Sequence, residues 1–85
     1  MKYKATIHIM PRPELLDPQG KATLLGLQNL GFGQMDHIRI GKRIELNIVS
    51  DSKENADLQV KEACKKLLVN PIIEQYFVEI EESGS

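Results

Sequence analysis

The chain has 85 residues with 11 basic and 12 acidic side chains, a net charge of −1, a single cysteine and no tryptophan. A chain this short buries only roughly 60–65% of its unfolded surface in one modest core, which leaves little room for a deep catalytic pocket and favours self-association. The balanced charge excludes the basic stripe of a nucleic-acid binder, no apolar run reaches the roughly 18 residues of a membrane span, and the lone Cys64 excludes an internal disulfide framework. A cytoplasmic setting is expected.

Residues 2–10 alternate. Tyr3, Ala5, Ile7 and Ile9 point one way, and Lys2, Lys4, Thr6, His8 and Met10 the other, which predicts a half-buried strand ended by Pro11 and Pro13. Asp17-Pro18 predicts a helix start, with Asp17 as N-cap and Pro18 in the first turn, where a missing N–H costs nothing. Gln19 and Gly20 follow. Leu24, Leu27 and Leu30 make the helix's apolar stripe, and Gly31 stops it. Residues 35–49 read as a hairpin, with Ile38 and Ile40 before and Ile44, Leu46 and Ile48 after a two-residue turn at Gly41-Lys42.

Asp51, followed three residues later by Glu54, predicts the cap of a second helix. Its stripe is Ala56, Val60, Ala63, Cys64 and Leu67, and Asn70-Pro71 breaks it. A last strand over 74–81 places Tyr76, Val78 and Ile80 on one face and Phe77 and Glu79 on the other. The expectation is an α+β domain over residues 1–82 with β-α-β-β-α-β order, followed by a flexible tail at 83–85. Its sheet would be four-stranded and mainly antiparallel, with two helices on one face.

No catalytic constellation emerges. Gly20-Lys21 and Gly41-Lys42 lack the earlier glycine of a phosphate loop, since Leu15 and Asp36 stand there. His8 and His37 share no metal-ligand spacing with Cys64, and Cys64 lies on an apolar stripe. Neither a catalytic residue nor a metal site is expected. Phe77, Met10 and His8 on the sheet face opposite the helices suggest a covered surface, hence subunit contacts. An RNA-binding reading would need stacking aromatics that residues 38–48 lack.

Three segments punctuate the chain: Leu16-Asp17-Pro18-Gln19-Gly20, Ile38-Arg39-Ile40-Gly41-Lys42 with Ile44-Glu45-Leu46, and Leu67-Leu68-Val69-Asn70-Pro71-Ile72-Ile73-Glu74. Together with Leu30-Gly31-Phe32, and in this order, they resemble the PurS family, the small subunit of phosphoribosylformylglycinamidine synthase. The resemblance runs from Lys2 to Glu82; the proline-rich stretch Met10–Glu14 departs from the family's pattern. It implies a non-catalytic bridge between a large ATP-dependent synthetase subunit and a glutaminase subunit, in the conversion of formylglycinamide ribonucleotide, ATP and glutamine to formylglycinamidine ribonucleotide in purine biosynthesis. No cofactor is expected in this chain, with ATP and Mg held by the large subunit. Homodimers or dimers of dimers through sheet surfaces are implied. The residues offered for partner or interface contact are Asp17, Pro18, Gln19, Gly20, Arg39, Gly41, Lys42, Asn70, Pro71 and Phe77. The competing reading is a free-standing homodimeric module that binds a small molecule.

Overall fold

The computed structural model describes residues 1–83. Its elements are β1 (Lys2–Pro11), α1 (Pro18–Asn29), β2 (Lys42–Val49), α2 (Lys53–Ala63), a π-helical turn (Cys64–Leu68) and β3 (Glu74–Glu82). The strands form one three-stranded antiparallel sheet in the order β2-β1-β3. β1 is the centre because its alternating sequence supplies both layers. Ile7 pairs with Ile44 on one side and with Val78 on the other, so inward apolar positions coincide across the sheet. Ala5, Ile7, Ile9, Val60, Cys64 and Val69 form the buried cluster, with α2 laid over β1 and β3.

The expected fourth strand is absent among the described residues. Residues 35–40 pair with no strand, and Gly41 does not reverse the chain, because its φ is not positive as the predicted turn requires. The 38–40 segment is held instead against the 12–17 loop, by the Asp17 carboxylate, which accepts the Ile40 N–H, and by Arg39, which donates to the Arg12 and Leu15 carbonyls.

The expected two-helix layer is also corrected. Only α2 covers the sheet. Gly20 is the sole buried residue of α1, and the main element contacts do not include that helix. α1 and residues 30–37 project as an arm, with Leu30 75% exposed. The radius of gyration is 16.7 Å within a body of 51 × 28 × 15 Å, whereas a compact chain of this length has about 12 Å. Ile44, Leu46 and Ile48 of β2 are left half-buried.

At α2 the cap lies one residue later than the sequence suggests. The Ser52 hydroxyl accepts the Asn55 N–H at 3.1 Å, and Asp51 accepts from the Asn55 side chain. At the other end Val69 N–H donates to the Cys64 carbonyl at 2.9 Å, an i→i−5 bond that inserts one residue into the turn. The apolar phase therefore slips by one. Leu68 packs on the core, and Leu67, expected there, is exposed. Ser83 donates its N–H to the Lys2 carbonyl at 2.8 Å; the remainder of the expected tail, residues 84–85, lies outside the described residues. No helix of the described residues is long and apolar enough to cross a membrane.

Candidate functional site

Helix α1 begins where the sequence places it, and its cap does more than cap. One oxygen of Asp17 accepts the Gly20 N–H at 3.0 Å, and the other accepts the Ile40 N–H at 2.8 Å. One buried carboxylate thus ties the start of α1 to the returning segment before β2. Pro18 occupies the first turn beside it. Gly20 is required for a different reason from any turn: a Cβ there would lie 2.2 Å from the Ile38 carbonyl oxygen. The helix can approach the 38–40 segment this closely only through a bare Cα.

Hydrogen bonds from the Ile40 and Gly20 backbones, in that order, hold the Asp17 carboxyl below its ordinary value of 3.8. Burial opposes them, while the Arg39 charge and the Gln19 N–H add to them. A group with a depressed folded-state pKa stabilises the fold above its unfolded value, and that contribution is lost as pH falls through the folded value. The melting temperature is therefore expected to fall on acidification below about pH 4. Asp17→Asn should lower the melting temperature at neutral pH and flatten this acid limb. Thermal melts of both proteins across acid and neutral pH check this, and an identical acid limb would contradict it.

Two arginines brace the same region. Arg39 donates to the Leu15 carbonyl at 3.0 Å and to the Arg12 carbonyl at 2.8 Å. Arg12 in turn donates to the Pro71 carbonyl at 2.9 and 2.6 Å. Asn70 organises the turn before β3: its side-chain oxygen accepts the Ile72 N–H, its carbonyl accepts the Glu74 N–H at 2.8 Å, and its own N–H reaches Glu74 Oε1 at 2.8 Å. Glu74 Oε2 faces Lys42 Nζ at 3.5 Å. Gly41 sits against β1, where a Cβ would lie 2.1 Å from the Ile9 carbonyl oxygen.

The three segments singled out in the sequence therefore meet at one end of the sheet. They enclose an open cleft of about 570 Å³ lined by Pro11, Leu15, Leu16, Asp17 to Gln19, Ile40 to Lys42, Ile73 and Glu74. Asp17, Pro18, Gln19, Gly41 and Lys42 line it, while Gly20, Arg39, Asn70 and Pro71 build its walls from behind. Phe77 is elsewhere. It stands exposed on the outer sheet face, stacked on His8 at 4.5 Å between ring centroids, with His8 Nε2 at 2.5 Å from Glu79 Oε1.

Sequence reasoning missed Arg12, Leu15, Ile73 and Glu74 as parts of this site. Arg12 lies in a proline-flanked loop and carries no local signal, because its partner is a carbonyl at Pro71, 59 residues away. Among the described residues, no cluster of His, Cys, Asp and Glu is placed to hold a metal ion. Cys64 is buried, and burial pushes its thiol pKa up, which makes it a poor nucleophile. The cleft can hold a segment of polypeptide or a small polar molecule. Its titratable lining is Asp17, Lys42 and Glu74, with Lys42 and Glu74 paired to each other.

The profile of the family described as phosphoribosylformylglycinamidine (FGAM) synthase, PurS, matches residues 4–82. The phosphoribosylformylglycinamidine synthase subunit PurS of Bacillus subtilis is 40% identical over 80 residues, covering 94% of each chain. The crystal structure of PurS from Methanocaldococcus jannaschii superposes with a TM-score of 0.86 at 34% identity, covering 96% of this chain and 99% of that one. A chain in the structure of PurLQS from Thermotoga maritima superposes with a TM-score of 0.87 at 33% identity, covering 95% of this chain and 99% of that one.

Proposed function

Since the chain belongs to the PurS family of phosphoribosylformylglycinamidine synthase subunits, we propose that it is the small bridging subunit of such a synthase in purine biosynthesis. The carrying observation is the near-complete superposition on a chain of the PurLQS assembly. In this reading the chain contributes no reacting group, and ATP and Mg are held by the large synthetase subunit. Glutamine is hydrolysed on the glutaminase subunit. The ammonia released must reach the synthetase site before water dilutes and protonates it, so both active sites have to be held in register. A rigid sheet end with motif segments locked by Asp17, Arg12 and Arg39 suits that task better than it suits catalysis.

The same reading includes self-association. An arm whose apolar residues meet no sheet, and a β2 strand whose inward face has no helix above it, are complementary deficits. A second copy can supply what each lacks: the arm of one protomer lies on the half-bare sheet of the other. The exposed Phe77 face supports a further contact between such pairs.

The test is reconstitution with the synthetase and glutaminase subunits of the same source, comparing glutamine with ammonium as nitrogen donor. Omitting this chain should remove glutamine-driven turnover and leave ammonium-driven turnover largely intact. Full glutamine-driven turnover without it would overturn the bridging role and favour a free-standing small-molecule module.

A further inference from the structure

We propose that the open edge of β2 pairs with the same edge of a second copy, antiparallel about a two-fold axis at Leu46, so that two three-stranded sheets join into one. This rests on the self-association in the reading above and adds the edge used, the partner and the register.

In the order β2-β1-β3 each outer strand leaves one edge unpaired among the described residues. The two edges differ in charge. β3 carries Glu74, Glu79, Glu81 and Glu82 and no basic residue, whereas β2 carries Lys42, Arg43 and Glu45. Charged side chains guard a strand edge, and four like charges repel a second copy of the same strand. β2 also lacks the other safeguards: it holds no proline, and its register with β1 runs from Lys42 to Val49 without a bulge. The segment that could close this edge from within the chain is locked away, since Asp17 takes the Ile40 N–H and Arg39 is tied to the Leu15 and Arg12 carbonyls.

The bonding phase of the open edge follows from the strand ends. The Ser50 N–H donates to the Met1 carbonyl at 2.9 Å, while the Lys2 carbonyl accepts from Ser83 on the β3 side. Successive residues of a central antiparallel strand bond alternately to its two neighbours, so the odd-numbered residues of β1 bond to β2. Their partners are Ile48, Leu46, Ile44 and Lys42. Arg43, Glu45, Asn47 and Val49 therefore aim their N–H and C=O groups at the open edge.

A two-fold pairing that keeps the apolar phase on one face sets even-numbered residues opposite even-numbered ones. Two such registers overlap over nearly the whole strand, Lys42–Ile48 and Arg43–Val49. The first, centred on Glu45, opposes that carboxylate to its own copy, which is unfavourable. The second, centred on Leu46, sets Glu45 opposite the partner's Asn47. It also sets Arg43 opposite the partner's Val49, whose exposed side chain takes the arginine stem. Every outward N–H of the four odd residues then meets a carbonyl. On the inner face, Leu46 meets the partner's Leu46 and Ile44 the partner's Ile48, all of them half-buried within one copy. One pairing thus satisfies the backbone edge and continues the bare apolar face across both copies.

The test uses the full chain and reads mass by sedimentation over a range of concentrations. Asn47→Pro removes one outward N–H and no bond to β1, so the variant should stay folded by circular dichroism and associate at least about tenfold more weakly. The register is read separately. Oxidising an equimolar mixture of Glu45→Cys and Asn47→Cys should link copies at least about fivefold more than either variant alone, with Cys64 buried out of reach. A folded Asn47→Pro chain with wild-type association would overturn the proposal and leave the arm and the Phe77 face as the contacts. Equal linking in the mixture and the single variants would overturn it too, and this contrast decides alone if Asn47→Pro does not fold. Open-ended growth of mass with concentration would show β2 pairing with β3 of the next copy, which also overturns it. A wild-type chain that stays monomeric throughout would instead overturn the self-association on which the proposal rests.

Discussion

Gly41→Ala is expected to destabilise the fold by about 3 kcal/mol, and Gly20→Ala by a similar amount. In each case the new methyl group would meet a backbone carbonyl oxygen, at 2.1 Å from Ile9 or 2.2 Å from Ile38. A flexible side chain could step aside; a carbonyl in the central strand, or in a segment pinned by Asp17 and Arg39, moves only if the sheet end moves. The control is within the same helix. Gly26 has open space around its would-be Cβ, so Gly26→Ala should stabilise by about 0.5–1 kcal/mol through helix propensity alone. Urea unfolding of the three variants checks the contrast. Equal effects at Gly26 and Gly41 would mean that the close approach is not there.

The second large effect concerns the arm. If the arm makes the proposed contact between copies, Leu25→Glu with Leu30→Glu should convert the associated chain to a monomer. Both leucines are exposed within one copy, so the intrachain cost of replacing them is small, about 0.5 kcal/mol each. Full burial of a leucine contributes about 1.5–3 kcal/mol, and a symmetric pair would lose that contribution at every copy. Dissociation should therefore become at least about a thousandfold easier, at about 1.4 kcal/mol per factor of ten. Sedimentation reads the mass, and circular dichroism confirms that the monomer stays folded. An unchanged mass would show that the arm is solvated in solution as well. An unfolded monomer would show that the arm is covered by its own chain.

Much of the fold was legible, and the reasons are local. The alternation of residues 2–10 reported a central strand with one buried face. Asp17-Pro18 marked a helix start because an N-cap acceptor and a proline without an N–H are useful at that position. Tyr76, Val78 and Ile80 set the phase of β3. Gly31 ends α1 with φ of +95°, as a left-handed stop. The failures are equally specific. Leu67 and Leu68 exchange roles because a single i→i−5 bond shifts the helical phase, and no side-chain pattern distinguishes adjacent leucines. Ile38 and Ile40 alternate like a strand, but Asp17 takes the Ile40 N–H and no strand pairs with this segment.

The site divides in the same way. Asp17, Pro18, Gln19, Gly41 and Lys42 were marked in the sequence and do line one cleft. Gly41 was marked for the wrong reason, as a turn, when its role is close approach to β1. Phe77 was marked with them and lies apart.

By itself the sequence determined where β1, α1, α2 and β3 lie, the inward phases of β1, of residues 44–48 and of β3, the cap and stop of α1, and the family, because each depends on residues within a few positions of one another. Only the tertiary structure decided that the sheet has three strands, that α1 leaves it, and that Arg12 reaches Pro71 while Asp17 reaches Ile40. Those outcomes depend on competition among distant partners for a few hydrogen bonds and one apolar face, and the winning partner lies 23 residues away from Asp17 and 59 from Arg12.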